Sequence, residues 1–138
     1  DYGDFVVKRA DGLFAYQLAV AVDDAAQGIT EVVRGADLLE STPRQIHLQH
    51  LLGLPTPCYA HLPVAVNANG EKLSKQTSAA PVDIKHPLPM LIHALEFLSQ
   101  TPPVELMDAD LESFWSWAIG NWRPNTVSTT RSIVASEK

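Results

Sequence analysis

Apolar residues recur along this chain in short blocks, and their spacing shifts between the two-residue period of strands and the longer period of helices. Asp4 to Arg9, with Phe5, Val6 and Val7, reads as a strand that turns at Asp11-Gly12. Leu13 to Val22 carries two signals. Its alternation suits a strand, whereas Ala19, Ala21, Ala25 and Ala26 favour a helix. Gly28 stands where a helix C-terminal glycine belongs. Ile29 to Val33 is then a β-branched strand closing at Arg34-Gly35, and Asp37 to Glu40 has room for a short helical turn.

Ser41-Thr42-Pro43 is a helix start, with a hydroxyl cap and a proline in the first turn. Ile46, Leu48, Leu51 and Leu52 line the helix that follows, from Arg44 to Leu52, and Gly53 stops it. Beyond a stiff connector at Leu54 to Pro57, Tyr59 to Leu62 and Val64 to Val66 read as extended segments broken at Pro63. The proline-rich passage from Ala79-Ala80-Pro81 to Pro87-Leu88-Pro89 marks a boundary. Two helices are expected after it, about Met90 to Ser99 and Asp108 to Trp122, the second opened by Asp108-Ala109-Asp110 and carrying Phe114, Trp115, Trp117 and Trp122. Val127 to Lys138, rich in serine and threonine, reads as a frayed tail.

The order of elements predicts an α/β fold over residues 1–86, a helical appendage over 87–126 and a flexible tail over 127–138. Too few strands are present for a complete doubly wound sheet, and the chain opens at Asp1 rather than methionine. Both observations lead us to expect that an N-terminal half precedes it.

With 138 residues, 46% of them hydrophobic, the chain is long enough for a real core. No apolar run approaches the ~18 residues of a membrane span. A single cysteine, Cys58, leaves no internal disulfide framework or cysteine-rich zinc site within this chain. A cytoplasmic monomer with no membrane attachment is expected. The net charge of −6 argues against holding nucleic acid on a broad basic face, though not against a localised site. Lys72, Lys75, Lys85 and His86 cluster in sequence, while Arg123 and Arg131 serve equally well as solvated charges.

The sharpest chemical signal is Lys72-Leu73-Ser74-Lys75-Gln76, directly after the turn Asn67-Ala68-Asn69-Gly70-Glu71. Two lysines flanking a hydroxyl on a loop suit a site that grips a triphosphate and neutralises departing pyrophosphate. Alone the pattern is weak. It gains weight from what precedes it: Tyr16 before Val22-Asp23-Asp24, the run Gly28 to Asp37 containing Arg34, then Thr42-Pro43-Arg44-Gln45 and Ala60-His61-Leu62-Pro63. Together these resemble the second half of the catalytic domain of class I aminoacyl-tRNA synthetases of the glutamate type, Rossmann-like in fold, with the lysine loop as their KMSKS motif. The resemblance runs from about Phe5 to Gln76. Two departures point to a shortened branch without an anticodon-binding domain: Arg34-Gly35-Ala36-Asp37-Leu38 where full-length members read Arg-Gly-Glu-Asp-His, and only 62 residues after Gln76.

The resemblance implies ATP, with Mg2+, and L-glutamate as substrates of glutamyl-adenylate formation. It implies transfer of glutamate to queuosine in the anticodon loop of tRNA(Asp). Lys75, assisted by Lys72, is the implied stabiliser of charge at the phosphates. Arg34 and Tyr16 are the implied contacts to glutamate. The backbone of His61-Leu62-Pro63 is the implied neighbour of adenine, with Leu62 as the nucleotide-binding residue; the His61 side chain itself is expected to matter little. The competing readings are a structural salt bridge from Arg34 to Asp37 or Asp24, and a buried core role for Tyr16. Asp23 and Asp24 are read as ordering a turn, and the tryptophans as core rather than a base-stacking platform. No metal ligand is assigned in this chain, and zinc is expected only in the preceding part, as is the HIGH-type motif. The chain alone is therefore expected to be inactive. A C-terminally truncated glutamyl-tRNA synthetase charging the tRNA 3′ end, and a non-catalytic nucleotide- or RNA-binding module, remain open as alternatives.

Overall fold

The computed structural model describes residues 3–74, 81 and 83–135. The chain divides into two compact units, Asp1–His61 and Leu62–Lys138.

In the first unit the expected strand at Phe5 to Val7 does not extend into a sheet. Lys8 and Phe14 form an isolated antiparallel bridge around the turn at Asp11-Gly12, with Gly12 at φ 87°. The Arg9–Asp11 ion pair at 2.7 Å and the Leu13 N–H bond to Asp11 Oδ1 at 3.2 Å hold that turn. The ambiguous segment resolves as helix: α1 spans Tyr16–Ala26 and buries Ala21. Small alanines let it approach its neighbour closely, which a strand pairing would not use. Gly28, at φ 68°, and Ile29 return their N–H groups to Ala25 O (3.1 Å) and Asp24 O (2.9 Å), closing the helix end. The two aspartates order this turn through their backbone carbonyls.

Strand β1 (Glu31–Gly35) follows and passes through a 3-10 segment, Ala36–Ser41, into α2 (Thr42–Leu52). Ser41 makes no side-chain cap bond to the helix; Gly53, at φ 66°, ends it as expected. Strand β2 (Cys58–Leu62) pairs with β1. The helix interface is polar where an apolar stripe would be usual: Gln45 and Gln49 are each only 1% exposed.

In the second unit, β3 (Val64–Val66) forms a two-stranded sheet with β4 (Ser132–Val134). On one edge it pairs in parallel with β4 in the register Val64–Ser132, Ala65–Ile133, Val66–Val134. The other edge carries an antiparallel bridge from Val66 to Lys72. The segment read as a frayed tail thus contains a strand.

Helices α3 (Leu88–Phe97) and α4 (Leu111–Asn121) enclose a core of Ile92, Leu95, Leu106, Phe114 and Ala118. The N-cap of α4 is Asp110, whose carboxylate accepts from the Ser113 N–H at 2.7 Å. Phe114 is the core aromatic, at 1% exposure; Trp115 and Trp122, expected in the core, are 49% and 40% exposed. They line an apolar groove of about 270 Å3 together with Leu91, Leu98 and Ile119. No helix among the described residues is long and apolar enough to cross a membrane.

Gln100, 6% exposed, ties the ends of the two helices together. Its amide nitrogen donates to Leu98 O (2.9 Å), Arg123 O (3.2 Å) and Thr126 Oγ1 (2.9 Å), and its oxygen accepts from Arg123 N at 2.9 Å. Replacing it with leucine removes the partner of several part-buried backbone groups, so Gln100→Leu should cost about 2 kcal/mol in denaturant unfolding. An unchanged midpoint would contradict this role.

Candidate functional site

The chemistry-bearing residues of the first unit gather where β1, β2 and the start of α2 meet. Arg34 sits in β1, one residue before Gly35, and its guanidinium is held on three sides. Nη2 donates to Thr42 Oγ1 at 2.8 Å, and Nε donates to His61 Nε2 at 3.4 Å. The guanidinium carbon lies 5.1 Å from the centroid of the Tyr59 ring, within the range of a cation–π contact. Tyr59 and His61, alternate residues of β2, project to one face as strand geometry requires. Their rings lie nearly parallel, 10° apart, with centroids separated by 6.5 Å. The Tyr59 hydroxyl accepts from Gln49 Nε2 at 3.0 Å, so α2 fixes the ring that supports the arginine.

Thr42 Oγ1 also lies 3.0 Å from His61 Nε2. One proton arrangement accommodates all three contacts, with the single lone pair of His61 Nε2 shared between two donors. If Arg34 donates to Nε2, that nitrogen carries no hydrogen, and the threonine hydroxyl must donate to it while accepting from Nη2. His61 is then neutral, with its hydrogen on Nδ1. The environment favours this form: partial burial, and secondly the adjacent Arg34 charge, hold the His61 pKa below the ordinary 6.5.

A second polar chain docks α1 onto α2. Gln17 Nε2 donates to the buried Ser41 Oγ at 2.9 Å, and Gln45 Nε2 donates to Gln17 Oε1 at 2.9 Å. Gln17 follows Tyr16 and Ser41 precedes Thr42, so this chain fixes the start of α1 against the start of α2, where Arg34 is gripped. Tyr16 is 52% exposed, which removes the buried-core reading of that residue. No ion pair joins Arg34 to Asp24 or Asp37 among the described residues, and its recorded partners carry no negative charge.

Leu62, the nucleotide-binding candidate, is the last residue of β2 and half-buried. In the second unit, Lys72 stands opposite Val66 at the far side of a tight turn. Asn67 Oδ1 accepts from the N–H groups of Asn69 (3.0 Å) and Glu71 (2.9 Å), Gly70 takes φ 81°, and Leu73 N donates to Ala65 O at 2.9 Å. The start of the lysine loop therefore rests on β3. Lys75 lies outside the described residues. In the sequence Thr42 is part of the Ser41-Thr42-Pro43 helix start, the His61 side chain has no expected task, and Tyr59 and Gln49 carry no local signal of their role. The Thr42-Pro43-Arg44-Gln45 stretch was the available signal for two of the buried polar groups.

The model of the catalytic domain of class I tRNA synthetases (E and Q) matches residues 1–87, and the chain belongs to this family. The expected α/β class accords with it. A glutamyl-Q tRNA(Asp) synthetase of Aromatoleum aromaticum is 65% identical over 122 residues, covering 88% of this chain and 39% of its own length. That of Ectopseudomonas mendocina is 48% identical over 137 residues, covering 99% of this chain and 47% of its own length. The chain thus spans less than half the length of these relatives. The crystal structure of a glutamate-tRNA synthetase from Elizabethkingia anophelis matches 90% of this chain and 29% of its own with a TM-score of 0.63 at 22% identity, a likeness of fold.

Because folding lowers the His61 pKa, its contribution to stability is present above pH ~6.5 and is lost as the pH falls towards the lowered value, where the unfolded chain binds the extra proton. Arg34→Gln removes the neighbouring charge, so the His61 pKa should rise in an NMR titration of its ring resonances. A pKa that stays put would contradict the contact.

Proposed function

We infer that this chain is a working part of an enzyme that activates glutamate with ATP and transfers it to queuosine in the anticodon loop of tRNA(Asp). The observation that carries the reading is the 65% identity over 122 residues with a glutamyl-Q tRNA(Asp) synthetase. In the first step a glutamate carboxylate oxygen attacks the α-phosphorus of ATP and pyrophosphate departs, leaving glutamyl-adenylate. In the second, the glutamyl group passes to queuosine and AMP departs.

Arg34 suits the recognition of glutamate because a guanidinium can make paired hydrogen bonds to a carboxylate. Among the described residues no acidic side chain pairs with it. Tyr16, half-exposed at the start of α1, offers its hydroxyl to the same amino acid. The backbone at Leu62 takes the adenine. Lys75, with Lys72, meets the charge that develops on the phosphoryl oxygens and pyrophosphate, where a fixed ammonium lowers the barrier. Among the described residues no group of three or more His, Cys, Asp or Glu could hold a metal ion, and magnesium is assigned only as part of the nucleotide substrate. A tRNA substrate places the work in the cytoplasm, with the protein acting as a monomer.

In the full-length protein, Lys75→Ala should lower ATP–pyrophosphate exchange by about a hundredfold or more, with the melting temperature unchanged. Labelled glutamate should appear on queuosine-containing tRNA(Asp) and be absent from tRNA(Asp) lacking queuosine. Label on the tRNA 3′ end would overturn the assignment in favour of ordinary charging.

A further inference from the structure

We propose that Thr42 and His61 are positioning residues for Arg34: through the threonine hydroxyl and the imidazole nitrogen they lock the guanidinium in the orientation that receives the glutamate carboxylate. The proposal rests on the reading of Arg34 as the glutamate contact and assigns tasks to two side chains that this reading leaves without one.

The geometry is that of a closed triangle. Arg34 Nη2 to Thr42 Oγ1 is 2.8 Å, Thr42 Oγ1 to His61 Nε2 is 3.0 Å, and Arg34 Nε to His61 Nε2 is 3.4 Å. Every corner serves two contacts. Thr42 is the hinge of the arrangement, because its single hydroxyl both accepts from the arginine and donates to the histidine. Two of the five guanidinium N–H donors are thereby committed, and the Nη1 pair has no recorded partner among the described residues. The face of the guanidinium rests on Tyr59, 5.1 Å to the ring centroid, so rotation about the long side chain is opposed from below as well as from the side.

The supports stand on paired or packed elements. Thr42 is 8% exposed in the first turn of α2, beside Ser41, which Gln17 holds at 2.9 Å. His61 stands on β2, paired to the strand that carries Arg34. A free arginine side chain loses substantial rotamer entropy when it takes a ligand, and a side chain already fixed loses less. All three supports are also electrically neutral, so they orient the positive charge without cancelling it. An aspartate in place of Thr42 would orient the arginine equally well but would compete with the substrate.

The test is steady-state ATP–pyrophosphate exchange by the full-length protein as a function of glutamate. Thr42→Val keeps the shape and deletes the hydroxyl. It should raise the glutamate KM about tenfold while leaving kcat and the ATP KM within about twofold, and Thr42→Ser should restore the wild-type value. His61→Leu should raise the glutamate KM in the same way, and His61→Gln, which retains an acceptor, should recover part of the loss. Arg34→Gln is the control for the underlying reading. If it leaves the glutamate KM unchanged, Arg34 does not bind glutamate and the proposal falls with that reading. If it raises the KM while Thr42→Val and His61→Leu do not, the positioning role alone is overturned. A joint fall of kcat and melting temperature in Thr42→Val that serine does not restore would also overturn it, marking the hydroxyl as packing only.

Discussion

A guanidinium whose partners among the described residues are all neutral is the constraint on which the rest of the first unit depends. Arg34 is gripped by a hydroxyl, an unprotonated imidazole nitrogen and an aromatic face. A half-buried cation is costly unless its donors are satisfied, and a carboxylate would satisfy them most cheaply. The described residues supply weaker, uncharged partners instead, which hold the guanidinium without an acidic group among them. Anything that binds beside it with a negative charge gains the interaction that the fold itself has withheld.

Holding neutral partners in place requires order in the elements behind them. That explains the polar character of the α1–α2 interface. Gln49 secures the Tyr59 hydroxyl, and Gln45 reaches through Gln17 to Ser41, which adjoins Thr42. Directional bonds set the rotation and register of the helices more sharply than an apolar contact of the same area would. The second unit follows a comparable logic with backbone rather than side chains. Strand β3 is pinned by β4 on one edge and by the turn at Asn67–Glu71 on the other, so the first lysine of the loop starts from a fixed base.

Much of this was legible in the sequence. Strand β1, helix α2 with its glycine stop, the turn before Lys72 and the two late helices all stand close to where periodicity and punctuation placed them. Arg34 and Tyr16 could be singled out by resemblance. The cradle could not, because its members carry ordinary local explanations: Thr42 looks like a cap, His61 like a passing strand residue, and Gln45 and Gln49 like interruptions of an apolar stripe. Their meaning comes from residues 8 to 28 positions away along the chain. The strand at Ser132–Val134 was hidden for a related reason, since its partner lies over sixty residues earlier and nothing in its Ser/Thr-rich surroundings records that. Phe5 to Val7 erred the other way: β-branched and apolar, it has the composition of a strand but forms only the edge of a hairpin.

The most direct measurement is a high-resolution structure of the full-length protein with a non-hydrolysable glutamyl-adenylate analogue bound. The account predicts the glutamate carboxylate within about 3 Å of the Arg34 guanidinium, with Thr42 and His61 still in contact with the same arginine. A carboxylate bound by other residues, or an Arg34 that leaves Thr42 and His61 to reach its ligand, would contradict it.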